Sequence, residues 1–173
     1  MNPKRTLVFV AAIACISFFA YRDAKNTPVN RRYVALSTAV EYAKRPVNIA
    51  FVNAAGNGDF NTVKRLLEQG VSPDSIDGSS ECGEGEALEA AAANGNIAVV
   101  KLLLEHGADI NAPDRMGGTV LVSAVAQKDV VKLLLSKGAD VDVFCDGATV
   151  LQWAKIKGDK EVVKLLKQAG ARD

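Results

Sequence analysis

Residues 88–111 read LEAAAANGNIAVVKLLLEHGADIN, and their pattern decides the fold. Two apolar stretches of different kinds stand side by side. From Val99 to Leu104 the residues Val99, Val100, Leu102, Leu103 and Leu104 cover a wide arc of one helix, so that helix is buried against neighbours on more than one side. Before it, Ala90 to Ala93 form a helix whose small side chains let another helix approach closely. Asn94-Gly95-Asn96 separates the two, and His106-Gly107 ends the second. Large residues on one helix and small ones on the other suit stacking, and one such pair cannot bury its own faces.

Copies of the pair are present. FVNAAGNGDFNTVKRLLEQGVSPD starts at Phe51, LVSAVAQKDVVKLLLSKGADVD at Leu121 and LQWAKIKGDKEVVKLLKQAGARD at Leu151. Asp59, Asn96, Asp129 and Asp159 precede the second helices as expected N-caps, each worth about 1 kcal/mol. Gly70, Gly107, Gly138 and Gly170 follow those helices and permit the left-handed conformation that stops them. The recurring V-V-K-L-L-L and G-A-D segments resemble the ankyrin-repeat family, whose unit of about 33 residues is a turn, two antiparallel helices and a projecting loop.

The resemblance covers about residues 48–173, with repeats at about 48–77, 78–114, 115–144 and 145–173. It implies an all-α ankyrin-repeat solenoid and a non-catalytic module that binds another protein through its concave face and loop tips. The variable places of the pattern give the partner-binding candidates: Asn94, Arg115, Met116, Gln127, Phe144, Asp146 and Lys157. Trp153 occupies a place that normally points into the stack.

The chain departs from the family pattern in three respects. Leu88 lies 18 residues beyond Gly70 whereas Leu121 lies 14 beyond Gly107, so the first loop, SIDGSSECGEGEA, is enlarged, acidic and glycine-rich. Val130 is nine residues beyond Leu121 whereas Val99 is eleven beyond Leu88, so the third repeat turns more tightly. The histidine of the family's T-P-L-H motif is replaced by Val52, Glu89, Val122 and Gln152, which removes its usual Thr-to-His hydrogen bond.

The chain before the repeats is different in character. Thr6 to Tyr21, sixteen residues without charge between Arg5 and Arg22, falls between a signal-peptide core of about 7–15 residues and a membrane span of about 20. Residues 1–21 are therefore expected to form a hydrophobic helix, either a signal peptide or a membrane anchor. With no good cleavage site, an uncleaved anchor is favoured. Cys15 in Ala12-Ile13-Ala14-Cys15 distantly resembles a bacterial lipidation site. Residues 22–47 carry a net charge of +4 and read as a basic linker with a capping helix over Tyr33 to Lys44, whereas the chain from residue 48 onward carries −5. Lys4 and Arg5 suggest an exported domain at the cell envelope or in the periplasm, and Arg22, Lys25, Arg31 and Arg32 suggest the alternative, an anchored domain facing the cytoplasm. Small ankyrin proteins with such N-termini look bacterial. There the resemblance permits an inhibitor or immunity protein of a partner enzyme, or a structural, assembly or stress factor of the envelope.

Chemistry has little to work with. His106 is the single histidine of the 173 residues, and no nucleophile elbow or phosphate-cradling loop accompanies it. No cofactor, metal, small-molecule substrate or catalytic residue is expected, and a metal-binding or enzymatic protein is the remote alternative. Glu81, Glu84 and Glu86 match no calcium-loop spacing. The 21 basic and 20 acidic residues nearly balance, and Asp159 and Glu161 interrupt the lysines of the last repeat, so no nucleic-acid partner is expected and the chain is read as a monomer. Cys82 and Cys145 could pair only if the enlarged loop folds across two repeats, about 20 Å at a helix spacing of about 10 Å, because a disulfide needs its Cα atoms within about 7 Å.

Overall fold

Helix follows helix with one interruption in the computed structural model, which describes residues 47–75, 87–114 and 117–172. The expected anchor over 1–21, Cys15, the linker up to residue 46, Cys82, Arg115 and Met116 lie outside the described residues. In chain order the elements are α1 (47–57), α2 (Phe60–Glu68), α3 (Ala87–Ala93), α4 (Ile97–Glu105), α5 (Val120–Ser123), α6 (Lys128–Ser136), β1 (Phe144–Cys145), β2 (Ala148–Thr149), α7 (Val150–Lys157) and α8 (Lys160–Gln168). Among the described residues no helix is long and apolar enough to cross a membrane.

First helices pack on first helices and second on second: α3 on α5 and α5 on α7, α2 on α4, α4 on α6 and α6 on α8. Phe51, Leu103, Leu121, Leu134, Leu151 and Leu166 are fully buried, and Ala55, Ala91, Ala92, Ala124 and Ala154 of the first helices are buried with them. Burying each such large side chain is worth about 1.5–3 kcal/mol, which makes the interfaces between repeats the main source of stability. The four terminating glycines hold φ between 86° and 100°, the left-handed region an L side chain enters only with strain.

Polar side chains fasten one repeat to the next on both sides of this core. The last carbonyls of a helix have no partner within it. The Asn96 amide donates to Ala55 O at 3.0 Å and to Gly56 O at 2.8 Å, the Asn94 amide donates to Gly56 O at 3.0 Å, and the Gln127 amide donates to Ala93 O at 3.0 Å. On the loop side Asp109 N donates to Asp74 Oδ1 at 3.0 Å, and Asp140 N donates to Asn111 Oδ1 at 2.9 Å.

Helix starts differ from the expected set. Asp59 accepts from Thr62 N, and Asp159 accepts from Glu161 N and Val162 N, so both cap as their position predicts. Thr62 and its neighbours hold the Asp59 carboxyl below the usual range by hydrogen bonding. Asn96 makes no cap bond, because its amide is committed to the preceding repeat. Asp129 sits inside the first turn of α6, where its charge suits the helix dipole, and Gln127 occupies the N-cap position. The missing residues of the third repeat shorten its first helix to Val120–Ser123.

The absent histidine has two outcomes. Thr149 forms a capping box with Gln152, its hydroxyl accepting from Gln152 N while Gln152 Oε1 accepts from Thr149 N at 2.9 Å. At the equivalent place Val122 offers nothing, and the Thr119 hydroxyl, on a residue 6% exposed, has no hydrogen-bond partner among the described residues. Replacing it with a methyl of the same shape removes a buried unsatisfied group. Thr119→Val is therefore expected to leave stability unchanged or raise it by about 1 kcal/mol, and Thr149→Val to lower it by about 1 kcal/mol, with denaturant melts of the two variants giving opposite signs.

Candidate protein-binding surface

Four first helices present residues three apart in sequence toward solvent. Asn53 and Gly56, Ala90 and Ala93, Ser123 and Ala126, and Trp153 and Ile156 are each exposed or half-exposed, while the residues directly following the first of each pair, Ala54, Ala91, Ala124 and Ala154, are buried. The alignment of the repeats makes these pairs equivalent. Because the helices lie side by side, the pairs form one stripe. A Cβ placed on Gly56 would lie 3.5 Å from Ala90 Cβ, which shows how closely α1 and α3 approach. The stripe carries no charge, its side chains are small over three repeats, and they become large at the fourth.

The stripe continues into the loop that precedes α7. Phe144 pairs with Thr149 and Cys145 with Ala148, and the connecting Asp146-Gly147 has φ values of 48° and 77°. Positive φ at both central residues is the two-residue turn that matches the twist of a hairpin. Alternation along β1 turns Cys145 inward and Phe144 outward, 63% exposed. Trp153 Nε1 donates to Cys145 O at 3.1 Å, which ties the exposed side of α7 to the hairpin.

Of the residues proposed from sequence, Phe144 and Asp146 are exposed on the hairpin, and Lys157 is exposed at the other end of α7. Asn94 and Gln127 lie at the turn ends of the stripe, and their amides are engaged by Gly56 O and Ala93 O, so both also hold the stack together. Arg115 and Met116 fall outside the described residues. Ile156, 68% exposed, belongs with the group and was not among the candidates. Nothing local marks it: three residues after Trp153 at helical spacing, it reads as one more aliphatic of α7.

A family model described as ankyrin repeats (3 copies) matches residues 19–114, 51–145 and 113–173. The chain belongs to the ankyrin-repeat family. Ankyrin-repeat proteins are in general non-catalytic, and the repeats indicate that this chain is a protein–protein interaction module. The variable edge of an ankyrin stack is where the exposed stripe and hairpin of this member lie.

His106, Lys128 and Glu161 make contacts within the stack. His106 Nδ1 lies 2.8 Å from Leu102 O, at the carbonyl-rich end of α4. Among the described residues no group of three or more His, Cys, Asp or Glu could hold a metal ion. Lys128 of α6 pairs with Glu161 of α8, and their shared hydrogen bond raises the lysine and lowers the glutamate from their usual values.

Cys145 is a free, buried thiol. Burial pushes its pKa up, and the Asp114 carboxylate adds to the effect. The thiolate is the reactive form, so Cys145 in the folded ankyrin domain is expected to resist an alkylating reagent at neutral pH and to react after denaturation. Mass spectrometry after timed labelling checks this, and full modification of Cys145 in the native protein is the contrary result.

Proposed function

We propose that this ankyrin-repeat protein binds one specific partner protein on the charge-free stripe of its first helices and the adjoining hairpin. The observation that carries the reading is the placement of Phe144 and Ile156. Both are large, apolar and more than half exposed, at the end of a stripe lined by small uncharged side chains. A buried apolar anchor surrounded by small contacts is how most binding energy is concentrated at protein interfaces. Small floor residues leave room for a partner's backbone, and the anchors fix its position.

The partner is proposed to be an enzyme that the ankyrin domain inhibits, with the domain held at a membrane or exported through its N-terminal segment. The uncharged run from Thr6 to Tyr21 supports the second part of this reading. Fractionation of host cells tests that part separately: the full chain is expected in the membrane fraction, and recovery of all of it in the soluble cytoplasmic fraction contradicts it.

Purification of the full chain from its native host in mild detergent is expected to recover one stoichiometric partner. Ile156→Asp and Phe144→Ala are each expected to weaken that complex about tenfold or more, equivalent to about 1.4 kcal/mol, without altering the circular dichroism of the domain. Equal recovery by wild type and both variants overturns the assignment of the surface.

A further inference from the structure

We propose that the segment seated on this face is a basic polypeptide whose lysines and arginines lie over the loop edge of the stack while an apolar side chain packs against Phe144 and Ile156. This rests on the protein-binding reading above and adds the chemistry of the partner. Among the described residues the loop edge is one-sided in charge. Described residues 71–75, 108–114, 117–119 and 139–149 hold Asp74, Asp109, Asp114, Asp140, Asp142 and Asp146, and no lysine, arginine or histidine. The loops lie side by side, because Asp109 N reaches Asp74 and Asp140 N reaches Asn111. They adjoin the exposed stripe, because the indole of Trp153 is bonded to the hairpin at Cys145 O.

Between the two edges the field is uneven. The stripe itself is uncharged, and the turn edge is mixed, with Asn57, Asn94 and Gln127 beside Asp59, Asp159, Lys128 and Lys157. A polypeptide laid along the stripe therefore meets carboxylates alone on one side and a mixture of amides and both charges on the other. A cationic segment gains from that row, and an acidic one is repelled by it. Exposed charges are screened over about 8 Å at physiological salt, so the gain requires the partner's cations to lie directly over the loops. Such rim charges act mainly by steering association and selecting partners, whereas the apolar anchor governs dissociation. The exposed Phe144, set within the acidic edge, offers a ring face to an arginine or lysine as well.

A display library of short random peptides selected against the full chain in mild detergent tests the proposal, with synthetic copies of the selected peptides as probes. The selected sequences are expected to carry net positive charge and to lose binding to the Ile156→Asp variant. Their affinity for a double variant, Asp142→Asn with Asp146→Asn, is expected to fall about three- to tenfold, chiefly through slower association, and the difference is expected to shrink as salt is raised. Neutral or acidic peptides that still depend on Ile156 overturn the basic partner and leave the protein-binding face intact. Peptides indifferent to Ile156→Asp, or no selectable peptide at all, overturn both.

Discussion

The first helices of the first two repeats end at carbonyls that amides of the next repeat reach across to meet. The Asn96 amide, bonded to Ala55 O and Gly56 O, is the clearest case, and Gln127 on Ala93 O repeats the device one unit along. These bonds form only when the alanine-rich first helices come together. Packing and hydrogen bonding are thus two expressions of one constraint. A repeat without its neighbour would expose both an apolar face and a set of unpaired carbonyls.

The same constraint separates structural from functional surface. Residues that face the next repeat are fixed by it, and what remains open on the first-helix side is the stripe at Asn53, Ala90, Ser123 and Trp153, its companions one turn on, and the hairpin. Over three repeats the free positions are small. At the fourth they are Trp153 and Ile156, with exposed Phe144 nearby. Under the proposed reading, this surface would seat a partner chain along its length and hold it at one end. The fourth repeat also carries the best-formed helix starts, the capping box of Thr149 and Gln152 and the Asp159 cap. The large exposed residues of the fourth repeat therefore stand on, or directly before, well-terminated helices.

Much of this was legible before any coordinates. The 3.6-residue periodicity, the terminating glycines and the repeated V-V-K-L-L-L segment name helix pairs, their ends and their stacking, because those features are local or recur at fixed spacing. The shortened third repeat was readable as a two-residue deficit, and it emerged as the four-residue helix Val120–Ser123. Asp59 and Asp159 cap as their position predicts, whereas Asn96 does not, because an asparagine amide can donate to a neighbouring repeat and a carboxylate cannot.

The sequence by itself determined the family, the number and order of the helix pairs, and the residues that must be buried, since burial follows from apolar periodicity. Only the tertiary structure decided which polar residues belong to the stack and which to the surface. Asn94 and Gln127 look free in the sequence and are bonded to the preceding repeat, while Ile156 looks like one more helical aliphatic and is 68% exposed. The physical reason is that a side chain's partner across a repeat boundary lies some 30 to 40 residues away, as with Asn96 and Ala55 at a separation of 41. Local pattern reports which face a residue is on, and the neighbouring repeat decides what that face meets.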